Sequence, residues 1–178
     1  MSSFEPRKSR SPGLLSIAAL AATVLLAGCN VSPLYGPTME GSPLAADLAA
    51  ISIDSPNSRV EQVIRNKLIF DFNGGAEATS APRYDLRLTA NVSEALVGAT
   101  QINVAPSYSV AIAASFELTD LASQRIIARG VARGIAAYDR SNQAFANTRA
   151  RRDAEDRAAA SAADEIRLRI SAALVAGT

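Results

Sequence analysis

Gln124 to Tyr138 reads QRIIARGVARGIAAY, and its alternation decides the fold. A period of two places Ala128, Gly130, Ala132, Gly134 and Ala136 on one side of a strand, and Ile127, Arg129, Val131, Arg133 and Ile135 on the other. A strand face made of alanine and glycine is nearly bare, which admits the close approach of a second element. The chain supplies such an element immediately afterwards. From Ala150 to Val175 there is no glycine or proline, and Ala154, Ala158, Ala162, Ile166, Ile170 and Leu174 recur along one ridge of a predicted helix. Arg152 with Asp156, Asp153 with Arg157 and Glu165 with Arg169 are i,i+4 pairs for its solvated sides. An alanine ridge lying on an alanine and glycine strand is mutually consistent packing.

Upstream, two further alternating runs predict strands, one through Tyr84, Leu86, Leu88, Ala90 and Val92, the other through Tyr108, Val110, Ile112, Ala114, Phe116 and Leu118. Glu94 to Pro106, with Gly98 and Asn103, reads as the tip of the hairpin joining them, and Asp120 to Ser123 as the next turn. Tyr138 to Thr148 reads as a polar loop before the last helix. Nearer the N-terminus, Ala49 to Asp54 predicts a short first strand and Ser55 to Ser58 a turn. Ser58 and Glu61 have the S-x-x-E spacing of a capping box. Val60, Val63, Ile64 and Leu68 then form the apolar stripe of a helix ending near Phe72, before Asn73-Gly74-Gly75. The expected fold is α+β: one domain in the order β-α-β-β-β-α, with a mainly antiparallel four-stranded sheet and two helices packed on one face.

The first 43 residues have a different character. Arg7, Lys8 and Arg10 precede an apolar run from Leu14 to Ala27, which is the pattern of a secretory signal. Leu26-Ala27-Gly28-Cys29 is the pattern that a lipoprotein signal peptidase requires. The run is short for a membrane span, which needs about 20 residues. Residues 1–28 are therefore expected to be a lipoprotein signal peptide and 29–43, rich in Pro33, Gly36, Pro37, Gly41 and Pro43, a lipidated tether. The folded domain is expected over 44–178. Acylated Cys29 would anchor the chain, since each buried methylene contributes about 0.8 kcal/mol. Asn30 is not the aspartate that retains enteric lipoproteins in the inner membrane, so the expected location is the periplasmic side of the outer membrane.

Processing would remove Arg7, Lys8, Arg10 and Glu5, leaving 15 basic and 16 acidic residues. This balance predicts no nucleic-acid partner. Histidine is absent and Cys29 is the single cysteine, so the commonest general base, the catalytic thiol and the usual metal ligands are missing. No catalytic residue, no metal site and no cofactor other than the lipid on Cys29 is expected.

Cys29 followed by Pro33-Leu34-Tyr35-Gly36, then Ile51-Ser52-Ile53-Asp54 leading into a helix with Gln62, Arg65, Asn66 and Leu68, and then the β-β-β-α remainder, resembles the LptE family of lipopolysaccharide-assembly lipoproteins, especially its alphaproteobacterial members. The resemblance implies a non-enzymatic role: a plug in the lumen of the outer-membrane barrel LptD that assists its assembly and the passage of lipopolysaccharide to the cell surface. It also implies basic residues in the loops at one end of the sheet that meet lipopolysaccharide phosphates. The local match places Asn147 where a lysine is expected, so Arg140, Arg149, Arg151 and Arg152 are the candidates, as guanidinium groups pair bidentately with phosphate oxygens. The sheet face away from the helices offers Asp85, Arg87 and Asn91 as barrel-contact candidates, since polar strands suit a polar lumen. Two other readings stand beside this one. One is a periplasm-facing lipoprotein that holds a small apolar ligand between sheet and helices; the other is a glycan hydrolase working with paired carboxylates.

Overall fold

The computed structural model describes residues 43–74, 81–97 and 106–177. The expected signal peptide, Cys29 and the tether up to residue 42 lie outside them, while Pro43, the last residue assigned to the tether, belongs to the first helix. Seven elements follow one another: α1 (Pro43–Ala49), β1 (Ile51–Ile53), α2 (Arg59–Asn73), β2 (Tyr84–Val97), β3 (Ser107–Asp120), β4 (Ile126–Asp139) and α3 (Ala144–Gly177). The sheet order is β1-β2-β3-β4, with β1 parallel to β2 and the other pairs antiparallel. The α+β fold is as expected, with one helix added. None of the described helices is long and apolar enough to cross a membrane.

The added helix is α1. Pro43 sits at its first position, where the missing N–H removes no helical bond. It ends against Ala50, whose carbonyl receives the N–H groups of Arg83 and Tyr84. The first strand is consequently Ile51–Ile53 alone, shorter than the Ala49 to Asp54 run expected.

α2 begins as its capping pattern requires. Ser58 is extended, and its Oγ accepts the Glu61 N–H at 3.2 Å. Glu61 does more than close the box. Its Oε2 accepts the Asn57 N–H at 2.7 Å, and its Oε1 reaches across to the Ala90 N–H of β2 at 3.0 Å. The helix stops at Gly74, whose left-handed backbone (φ 61°) suits a residue without a side chain.

β2 and β3 pair without interruption from Tyr84 opposite Asp120 to Val97 opposite Ser107. Glu94 to Val97, expected in the hairpin tip, are therefore strand, and residues 98–105 of that tip lie outside the described residues. The turn at Asp120 is as expected: Asp120 Oδ1 accepts the N–H groups of Ala122 and Ser123 at 2.9 and 2.8 Å, which holds its carboxyl below the usual carboxylate range.

The core lies between the sheet and the helices. Leu86, Val110, Ile112, Ala114 and Leu118 point into it from β2 and β3, and Ile64, Leu68, Ile166 and Ile170 from α2 and α3. Along β4 the bare face does what its composition implies: Ala132 and Gly134 are buried, and Ala154, Ala158, Ala162, Ile166, Ile170 and Leu174 all face inward from α3. The approach is closest at Gly134. A Cβ there would stand 1.8 Å from the carbonyl oxygen of Ala158, inside any permitted contact. Lys67 ties the two long helices, lying 2.8 Å from Asp71 on α2 and 3.0 Å from Asp164 on α3.

Candidate functional site

The end of the sheet where β4 meets α3 gathers most of the chemistry. Tyr108 and Tyr138 stack across β3 and β4 with ring centroids 5.7 Å apart. The Tyr138 hydroxyl donates to Glu94 on β2, and burial together with that carboxylate pushes the Tyr138 phenol up to about 12. Arg151 closes the cluster, its Nε 3.2 Å from Glu94 Oε2 and 3.4 Å from Glu155 Oε1. Arg140 donates from Nη1 to the Tyr108 hydroxyl at 3.3 Å and lies over that ring.

α3 starts at Ala144, six residues before the Ala150 start expected, so Arg149 joins Arg151 and Arg152 on the helix, and Asn147 lies in its first turn and not in the loop. The physical reason is a staple. Asn147 Oδ1 accepts the Ser141 N–H at 2.7 Å while its Nδ2 donates to the Ser141 carbonyl at 2.8 Å, folding the short loop back against the first turn. Asn147 thus has a structural task at the position where the family resemblance expects lysine.

This placement divides the four candidate arginines. Arg151 and Arg140 are engaged with Glu94 and Tyr108. Arg149 and Arg152, three residues apart, share one helix face with Phe145, and the Arg149 guanidinium sits 5.7 Å from the Phe145 ring centre. Phe145 is 74% exposed. Asp153 and Asp156 border the same face, but Asp153 holds Arg157 at 2.8 Å and Asp156 accepts from Arg59 at 2.5 Å. Among the described residues no carboxylate lies within ion-pair distance of Arg149 or Arg152. They form a small basic face beside an exposed aromatic ring, which suits an anion carried on an apolar body.

The second surface is the sheet face away from the helices. Arg87 is 70% exposed at its side chain and lies 3.7 Å from Asp85, which also accepts from Ser52. Register sets Arg87 opposite Glu117 and Glu117 opposite Arg129, a row of alternating charge across three strands. Asn91 stands two rungs along from that row. The polar character expected for this face holds along β2 and in that charged row, and includes Ser115 of β3 and Arg133 of β4. Toward β4 it carries Ala111, Ala113, Val131 and Ile135, and Ile135 is 68% exposed. The alternation of β4 contained that signal, but the expectation drew on β2 alone.

No group of histidine, cysteine, aspartate and glutamate side chains that could hold a metal ion occurs among the described residues. Comparison with known proteins gives the family. Among solved structures, a candidate lipoprotein from Caulobacter crescentus superposes with a TM-score of 0.63 at 22% identity, covering 77% of this chain and 98% of its own. The rare lipoprotein B of Shewanella oneidensis superposes with a TM-score of 0.53 at 18% identity, covering 71% and 95%. Both likenesses are of fold. No curated protein matches the sequence. The model of the family LptE, described as lipopolysaccharide-assembly, matches residues 48–170, from α1 to the last turns of α3. The chain belongs to the LptE family of lipopolysaccharide-assembly proteins.

Proposed function

We propose that this chain is a lipoprotein acylated at Cys29, held on the periplasmic side of the outer membrane, which plugs an LptD-like barrel, assists its assembly and takes part in passing lipopolysaccharide to the surface. The family match over residues 48–170 carries this reading. Two features agree with it. Helices cover one side of the sheet and leave the other for a partner, and the alanine ridge on Gly134 fills the space along β4 that a small apolar ligand would need.

The barrel contact is tested by co-purification from detergent-solubilised outer membranes. Wild type is expected to recover a much larger barrel protein at one-to-one stoichiometry, and Arg87→Glu to recover markedly less. The reversal sets a carboxylate beside Asp85 and opposite Glu117, a like-charge cost of up to about 1 kcal/mol. A thermal melt of the variant separates that cost from lost binding. Absence of any barrel protein from the wild-type eluate overturns the reading.

The basic face gives an independent result. Arg149→Glu with Arg152→Glu is expected to weaken lipopolysaccharide binding by the purified protein about tenfold or more, since each hydrogen bond to a charged group contributes about 1.5–3 kcal/mol. Barrel recovery should be unaffected. Wild-type binding should also fall as salt is raised through the physiological range. Equal affinity in the double variant removes these two arginines from the site.

A further inference from the structure

Arg149 and Arg152 each have a carboxylate one helical turn further on, Asp153 for the first and Asp156 for the second. The spacing is i,i+4, at which opposite charges on a helix pair. Neither pair forms, because other arginines hold both carboxylates. Arg157 takes Asp153 with its Nε at 2.8 Å, while its Nη2 is fixed to the Ala137 carbonyl of β4 at 2.9 Å. Asp156 is taken from another element altogether. Arg59, the first residue of α2 and 97 residues away in sequence, donates from Nη1 to Asp156 Oδ1 at 2.5 Å and from Nη2 to Glu155.

The neighbouring acceptors are also in use. Glu155 receives Arg151 as well as Arg59, and Glu94 receives Arg151 and Tyr138. Asp156 is the acceptor held least firmly. Its side chain is 49% exposed, it borders the same surface as Phe145, Arg149 and Arg152, and among the described residues Arg59 is the one cation on it. Without Arg59, Asp156 has the spacing and the room to turn to Arg152.

We infer that Arg59 is a positioning residue for the basic face: by holding Asp156 on the α2 side, it keeps the Arg152 guanidinium open to a phosphate group. Resting on the role proposed above for Arg149 and Arg152, the ligand is the phosphate of lipopolysaccharide. Arg59 acts on it through Asp156. Its removal has two consequences of the same sign. Asp156 becomes a partner for Arg152, and its charge, no longer matched by Arg59, repels the incoming phosphate.

The test uses the purified mature lipoprotein in a neutral detergent, with lipopolysaccharide as the binding species and the Arg152 Nε–H signal in NMR spectra as a second readout. In Arg59→Ala that signal should shift as Arg152 becomes ion-paired, and affinity should fall about threefold. Arg59→Ala with Asp156→Asn should restore both, because no carboxylate is left to take Arg152. Arg59→Ala with Glu155→Gln has the same net charge but leaves Asp156 free, so it should restore neither. Lys67 still ties α2 to Asp164 of α3 in every variant, and thermal melts check that the fold is kept. Arg59→Gln takes the place of the alanine variant if the melt shows that alanine loosens α2. A general effect of charge or of helix docking predicts that the two double variants behave alike. Equal rescue by both, or by neither, therefore overturns the inference, as does an Arg152 signal that stays in place in Arg59→Ala. If wild type binds lipopolysaccharide and Arg59→Ala binds it equally well, the inference fails alone. If wild type binds none, the role proposed for the basic face fails and takes the inference with it.

Discussion

Gly134→Ala is expected to be among the most destabilising single-methyl additions this protein can receive. The new Cβ would lie 1.8 Å from the Ala158 carbonyl oxygen, 2.8 Å from its carbon and 3.0 Å from the Ala162 nitrogen. All three are backbone atoms of a long helix, so no side-chain rotation relieves the clash. α3 must move off the sheet, opening gaps around Ala154, Ala158, Ala162 and Ile166, all fully buried. Overpacking typically costs about 1–3 kcal/mol, and a rigid backbone obstacle sets this case at the upper end or beyond. Against a total stability of about 5–15 kcal/mol, that loss is large. At about 2–4 °C per kcal/mol for a chain of this size, the melting temperature should fall by roughly 10 °C. Gly130→Ala is the internal control. Its Cβ meets the end of the Arg169 side chain at 2.9 Å and the edge of Phe116 at 3.4 Å, and both can yield. Thermal melts of the two variants should differ by several degrees; equal melts would mean that α3 does not rest on β4 as described.

The same interface explains why so much of the fold could be read from residues alone. The bare face of β4 and the ridge of α3 are both strictly periodic, and each makes sense only against the other. The elements that escaped the reading lack such a signal. Pro43 counts as a breaker in a glycine- and proline-rich stretch, yet the first helical position is where proline fits. Leu96 and Val97 are exposed, and only their partners Tyr108 and Ser107 make them strand. The start of α3 is fixed by Asn147 reaching back six residues to Ser141, a contact that no cap spacing announces. That one contact extends the helix back past Arg149, which then shares a face with Arg152, while Arg151 turns to another. Candidate site residues chosen by nearness in sequence were thus sorted by geometry into two engaged arginines, Arg140 and Arg151, and two that face Phe145.

Glu61→Ala is the second large effect expected, and it arises from hydrogen bonding. Glu61 is buried at 5% exposure and uses both carboxylate oxygens, one on the Asn57 N–H and one on the Ala90 N–H. Alanine leaves both donors without their acceptor, and a buried donor left unsatisfied costs about 1–3 kcal/mol. Water reaches these groups in part, so the expected loss is about 2–4 kcal/mol overall. Ser58 still caps the helix, because its Oγ bonds the Glu61 backbone N–H and not its side chain. Helix content by circular dichroism should therefore stay near wild type while the melting temperature drops. Glu61→Gln is the discriminating companion. Its amide oxygen can accept from one donor, but its NH₂ faces the other N–H, so it should recover no more than about half the loss. A Glu61→Gln protein as stable as wild type would show that a single accepted bond suffices. Amide exchange carries the local readout: in Glu61→Ala the Ala90 N–H should exchange faster, and the protected part of β2 should end nearer Leu86. Unchanged protection at Ala90 would overturn the role given to this carboxylate, which is to end the covered part of the β2 edge.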